Sequence, residues 1–457
     1  MKTRHLSGFV SLLALCLLFA SESSSSWIDA YKEPASRIIG AALADNFAWD
    51  RLTVLCDDFG PRLSGSQALE RAIRWAVEEM KKDGLEEVRT EHVMVPHWVR
   101  GSESLEITRP LTQSLVVLGL GDSIATPPEG IECEILVVRN YDDLESNAAK
   151  VPGKIVVYNV PFTSYGQTVQ YRSNGASRAA KLGAKGILLR SVGLPGLRTA
   201  HTGVLDYSAA APKIPAAAIP AEDAERLQRM QDRGERVTVR LKMDAHFEPD
   251  AESANVVAEL RGREKPEEIV VIGGHLDSWD VGTGAVDDGG GCLVTWSALR
   301  VLKNLNLRPR RTIRVVLFVN EENGLRGGMG YRDLHRGELA NHVMMLESDS
   351  GVFRPLGFGI SGNERARSAV RDIASLLRGI GADRISIGGG GADIGPSVQS
   401  AKIPSMSLEV DGTQYFVYHH SAADTPDKLN PMDVSLGVAA VALMAYVVAD
   451  MPSRLGQ

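Results

Sequence analysis

Residues 269–288 read IVVIGGHLDSWDVGTGAVDD. Ile269, Val270, Val271 and Ile272 form an apolar, β-branched run bounded by Gly273 and Gly274, which predicts a buried strand ending in a turn. His275, Asp277, Asp280, Asp287 and Asp288 follow the C-terminal end of that strand, the edge of an open α/β sheet at which ligands bind. Imidazole and carboxylate groups are what a divalent cation wants, and neighbouring glycines let the backbone turn tightly around one. A polar loop after a core strand would read the same way, so the later segments decide.

Three of them repeat the arrangement. The strand predicted to end at Val319 leads into Asn320-Glu321-Glu322-Asn323-Gly324. Adjacent residues point different ways, so one carboxylate can hold a metal while its neighbour serves as general base. The strand predicted at His342 to Glu347 is followed by Asp349, and the one at Ser405 to Val410 by Tyr418-His419-His420-Ser421-Ala422-Ala423-Asp424-Thr425. Each fragment alone matches a surface pair or a core edge. Together they put acid or imidazole groups after four core strands.

Beyond residue 250 helices and strands alternate, with helices fitting Gly290 to Leu305, Glu364 to Leu377 and Val434 to Val448. The expected fold class is α/β, a mixed sheet flanked by helices. The last helix is apolar nearly all round and about 15 residues long, which suits a packing helix better than a membrane span. Residues 27–60 read as helical, and Ser66 caps a helix that Gly84 stops. Strands follow near Val88 to Val95, Ser104 to Ile107 and Leu115 to Leu120. Residues 27–120 and 250–457 thus form a catalytic domain. Residues 125–245 read as a β-rich inserted domain with one helix near Ala176 to Leu182 and no chemistry of its own; its His201 stands alone, as a surface or core histidine would.

A net charge of -7 and the lack of any basic run exclude nucleic acid and anionic membranes as electrostatic partners. Lys2, Arg4 and His5 precede an apolar run from Leu6 to Ala20 and a serine tract, the pattern of a signal peptide over residues 1–20 cleaved near Ala20. The run is too short to span a membrane stably. The mature chain keeps Cys56, Cys133 and Cys292, which make no disulfide framework, and it carries no Asn-x-Ser/Thr sequon. The expected location is extracytoplasmic, in a bacterial periplasm or outside the cell. The absence of a G-x-S-x-G elbow, with no cysteine among the acidic motifs, removes support for Ser or Cys nucleophiles.

GHLDSWDVG (274–282), GAVDDGGG (284–291), the Glu321-Glu322 pair, ESDSG (347–351) and YHHSAADT (418–425) resemble the co-catalytic dizinc exopeptidases, the family of aminopeptidases and glutamate carboxypeptidases. DFGPRLSGS (58–66), GKIVVYN (153–159) and TVQYRSNGA (168–176) fit as well, so the resemblance covers nearly the whole mature chain. It implies the zinc-exopeptidase (phosphorylase/hydrolase-like) fold, a protease-associated domain as the insert, two Zn2+ per chain and a homodimer. Asp287 would bridge both ions, with His275 and Asp349 completing one and Glu322 and His420 the other. Glu321 would be the general base, and Asp277 would orient His275. His420 is preferred to His419 for its spacing to Asp424, and Asp287 to Asp288 from the alignment of GAVDD. Asn320 departs from the small residue that relatives carry there. The implied activity is hydrolysis of dipeptides or small peptides of carboxypeptidase type, with an aminopeptidase as the alternative. Readings of other classes are a glutaminyl-cyclase-like acyltransferase and a non-catalytic receptor-like relative.

Overall fold

The computed structural model describes residues 26–457; the expected signal peptide lies outside them. The larger of two sheets has eight strands in the spatial order Glu86–Val99, His246–Leu260, Arg311–Phe318, Lys265–His275, His342–Glu347, Ser405–Val410, Pro355–Ser361 and Arg384–Ile387. Its centre is parallel: Lys265–His275 lies between Arg311–Phe318 and His342–Glu347, and the latter pairs with Ser405–Val410. The next pairings outward on both sides are antiparallel. This is the expected mixed sheet flanked by helices.

The unbroken apolar run at 269–272 follows from burial on both faces. Val270 and Ile272 enter one core, and Ile269 and Val271 enter another on the opposite side. Helix Pro431–Asp450 packs beside Gly290–Asn304 and Lys32–Leu43 over the first core. It is long and apolar enough to cross a membrane, yet 89% of its apolar window is buried inside the protein. Arg326–Leu334 packs with Gly395–Ala401 over the second.

The strand expected to stop at Gly273 continues through both glycines to His275. A Cβ on Gly273 would lie 2.3 Å from the Val316 carbonyl oxygen, and one on Gly274 2.3 Å from Asp288 Oδ2. These glycines permit close approach rather than a turn, and that approach lets Asp288 reach the strand end. Close backbone approach also explains why Pro355–Ser361 escapes the sequence reading: a Cβ on Gly357 would overlap the Arg384 carbonyl oxygen, so the strand carries glycine where a β-former would be expected.

The second sheet is built from Gln113–Leu115, Glu103–Arg109, Thr238–Met243, Ile131–Val138, Ile155–Tyr158, Gly186–Arg190, Ala216–Ile219 and Leu118–Gly119, in that order. The strands expected near 104–107 and 115–120, grouped from sequence with the catalytic unit, pair here instead. The insert is also more helical than expected. Tyr165–Lys181 is one helix of 17 residues and Ala221–Asp232 is another. The first is masked in sequence by Thr, Val, Tyr, Asn and two glycines, all weak helix formers.

His342 is buried behind the parallel strands, where the Tyr331 hydroxyl donates to Nε2 at 2.8 Å and Nδ1 donates to the Glu338 carbonyl at 3.1 Å. Burial holds its pKa down, to about 4. An unfolded histidine titrates near ~6.5. Between those values the unfolded chain binds a proton that the folded chain refuses, so stability falls as pH drops through that window. The loss is expected to be roughly 3 kcal/mol. Urea unfolding of His342→Gln at about pH 7 and pH 4 should show a drop smaller than the wild type's by that amount.

Candidate metal centre

The parallel strands deliver their C-terminal ends to one place. His275 ends its strand, Glu321 and Glu322 follow Arg311–Phe318, Asp349 follows His342–Glu347, and His419 and His420 lie beyond Ser405–Val410. Asp287 stands between them, in the irregular turn Ala285–Gly289 that opens helix Gly290–Asn304. Its Oδ1 is 3.3 Å from His275 Nε2, which also lies 3.6 Å from Asp349 Oδ1. Its Oδ2 is 3.2 Å from His420 Nε2 and 3.5 Å from His419 Nε2. His420 Nε2 in turn lies 3.0 Å from Glu322 Oε2. The structure therefore brings all five expected ligands together as two groups that share Asp287. His419 also reaches Asp287; only His420 touches both Asp287 and Glu322.

The donor atoms fit a metal. His275 Nε2, Asp287 Oδ2 and Asp349 Oδ1 are buried and make no hydrogen bond, which is costly unless a cation takes them up. His275 has the tautomer a metal needs: its Nδ1 donates to the Asp277 carbonyl at 3.0 Å and leaves Nε2 facing the carboxylates. His420 Nδ1 lies 3.3 Å from the Thr202 carbonyl and 3.4 Å from the Arg172 guanidinium, and its Nε2 likewise faces the carboxylates. Mixed imidazole and carboxylate donors suit zinc. Burial, and then the charges of Asp349, Glu322 and Asp287, hold Glu321 well above the usual carboxylate range despite the opposing pull of His275. Burial works against a charged His275, but Asp287 and Asp349 outweigh it and raise the pKa well above the ordinary value.

Asp277 holds the His275 imidazole through its backbone carbonyl, 3.0 Å from Nδ1, with a carboxylate oxygen 3.8 Å from the same nitrogen. The carboxylate also accepts the amides of Glu321 at 3.2 Å and Glu322 at 3.3 Å. Asp288 accepts the His275 and Gly291 amides, both at 3.1 Å. Asp424, noticed in sequence only as a spacing mark, accepts the amides of Ala285, Val286 and Asp287 at 2.8, 2.6 and 3.1 Å. Arg62 is wholly buried and donates to the carbonyls of Gly60, Leu276, Thr283 and Gly284. It lay inside DFGPRLSGS, but nothing in the string distinguishes a brace from a turn.

A cleft of about 940 Å³ opens over these residues. Gly412, Tyr415 and Phe416 line it, whereas none of residues 388–393 does. Gly391 instead packs on Glu347, where a Cβ would come within 2.1 Å of the carboxyl carbon. The insert supplies Tyr165, Arg172, Val204 and Asp206 to the cleft wall, and buried His201 places Nδ1 2.7 Å from the His419 carbonyl. The insert, expected to carry no chemistry of its own, therefore reaches both the cleft wall and the backbone of the His419–His420 segment.

Residues 255–451 match the model of peptidase family M28. Human carboxypeptidase Q is 43% identical to this chain over 461 residues, covering 98% of each. The chain belongs to peptidase family M28. Carboxypeptidase Q of Xenopus laevis is 44% identical, over 94% of this chain and 92% of that one. Among solved M28 structures, a peptidase precursor from Shewanella amazonensis superposes with a TM-score of 0.89 at 36% identity, covering 94% of this chain and 99% of that one. The zinc aminopeptidase BSAP of Bacillus subtilis, at 21% identity and a TM-score of 0.67 over 90% and 97% of the chains, shares the fold. As a member of that family, the chain is a peptidase.

The bracing of Asp287 has a measurable consequence. Asp424→Ala frees three amides of the turn, and zinc affinity should fall about 10- to 100-fold, as when other outer partners of metal ligands are removed. Zinc competition against a chromophoric chelator checks this.

Proposed function

We propose that this M28 peptidase is an exported dizinc exopeptidase that hydrolyses dipeptides or small peptides in carboxypeptidase fashion. The observation that carries the two-ion reading is Asp287, whose two oxygens face separate histidine–carboxylate groups. His275, Asp287 and Asp349 would hold one zinc, and Asp287, Glu322 and His420 the other. Zinc bound there would supply Lewis acidity towards a peptide carbonyl and would acidify the attacking water.

The chain's own groups do the rest. Glu321 lines the cleft and, unlike Glu322, whose Oε2 lies 3.0 Å from His420 Nε2, has no ion pair with a site imidazole among the described residues, so its carboxylate would be free to take a proton from the attacking water and hand it to the leaving amine. Asp277 pins the amides of both glutamates and so fixes the divergence between base and ligand. The cleft wall carries Asp122, Asp206 and Glu409 together with Arg172, the one guanidinium or ammonium group among its described residues. Both signs of charge suit a short zwitterionic peptide. The similarity to carboxypeptidase Q supports carboxypeptidase action; an aminopeptidase of the same chemistry is the alternative reading. The insert is proposed to be a protease-associated domain, with a sheet that draws on residues 103–243. Export rests on the Lys2 to Ala20 pattern, and a homodimer on the family resemblance.

Glu321→Gln should keep its zinc and lose about 100- to 10,000-fold in kcat, the usual worth of a positioned general base. The test pairs metal analysis with turnover of dipeptides carrying a free or blocked terminus at either end. Turnover that survives blocking of the carboxyl end but not the amino end would replace the carboxypeptidase reading with the aminopeptidase one. A variant as active as the wild type would remove Glu321 from the mechanism.

A further inference from the structure

The segment carrying His419 and His420 is held from outside the catalytic sheet. His201 of the insert, 3% exposed, sets Nδ1 2.7 Å from the His419 carbonyl. The next amide, Thr202, donates to the His420 carbonyl at 2.9 Å. The Thr202 carbonyl lies 3.3 Å from His420 Nδ1, and His201 bridges Ser421 in antiparallel fashion. His420 itself has φ +58°, a left-handed conformation that is costly for a non-glycine residue and persists where surroundings impose it. The Thr202 hydroxyl anchors this clasp to strand Leu118–Gly119 of the second sheet by donating to the Gly119 carbonyl at 2.8 Å.

We propose that His201 and Thr202 are positioning residues for one zinc ion, so that the insert completes the Glu322–His420 site while leaving the His275–Asp349 site alone. The inference rests on the dizinc reading above. Its physical basis is the asymmetry of the two imidazoles: His275 takes its orienting bond from Asp277, two residues away on its own loop, whereas His420 takes its from a different folding unit. Losing the His201 bond lets the 419–421 segment relax from its left-handed backbone, and Nε2 of His420 then swings off the shared carboxylate.

The experiment is a stepwise zinc titration of the full-length mature protein against a chromophoric chelator, for wild type, His201→Ala and His201→Asn. A third variant, Val239→Ala in the core of the insert, controls for general destabilisation. Wild type is expected to bind two zinc ions. His201→Ala should bind the first unchanged and the second about 10- to 100-fold more weakly, with kcat recovering as free zinc is raised. Asparagine places an amide N–H close to the position of histidine Nδ1, so His201→Asn should restore the second affinity to within a few-fold. Val239→Ala should melt earlier and bind both ions normally. If His201→Ala binds both ions as wild type does, or loses both equally, the clasp is overturned and the dizinc reading stands. A wild type that binds one zinc overturns both.

Discussion

The site depends on holding one buried carboxylate, Asp287, between two imidazoles without letting any other side chain satisfy it. A carboxylate in that position would ordinarily be neutralised or paired. Here the pairing is reserved by fixing the backbone instead: three amides of the Asp287 turn are given to Asp424, the Thr283 and Gly284 carbonyls just before it are taken by Arg62, and Asp288 turns away to the His275 strand. The turn is rigid while the Asp287 oxygens stay available.

The parallel sheet does the gathering. Four adjacent strands end in the same direction, so residues separated by up to 145 positions, His275 and His420, arrive within reach of one carboxylate. Close packing makes the convergence tight. Gly291 shows how little slack there is, since a Cβ there would overlap the Ser348 carbonyl oxygen and come within 2.4 Å of Asp288. The GAVDDGGG string is therefore a packing requirement as much as a ligand motif.

Much of this was legible in the chain. The apolar run at 269–272 and the acids beyond it mark a strand end on composition alone, and the repetition of that pattern after three more strands locates the site. The finer roles needed contacts between distant residues. In sequence Asp277 reads only as a partner of His275 and Asp424 only as a spacing mark, and it is their bonds to backbone amides that reveal them as braces. His201 reads as an isolated histidine because its partner lies 218 residues away. The boundary of the insert was misread for the same reason: strands at 103–109 and 113–119 are ordinary in pattern, and which sheet they join is decided by pairing with 238–243 and 216–219.

The distribution of these contacts along the chain also governs when the centre can exist. Arg62 comes from the loop ahead of helix Gln67–Lys82, Thr202 from the insert, and His420 with Asp424 from near the C-terminus. A chain emerging from its N-terminal end has no complete ligand set, and no pinned Asp287 turn, until residue 424 is available. Metal capture is thereby tied to the completion of folding rather than to local motifs, and a chain exported unfolded, as proposed above, would carry its ligands as separate weak donors, unable to hold a metal or cut peptides until it had folded.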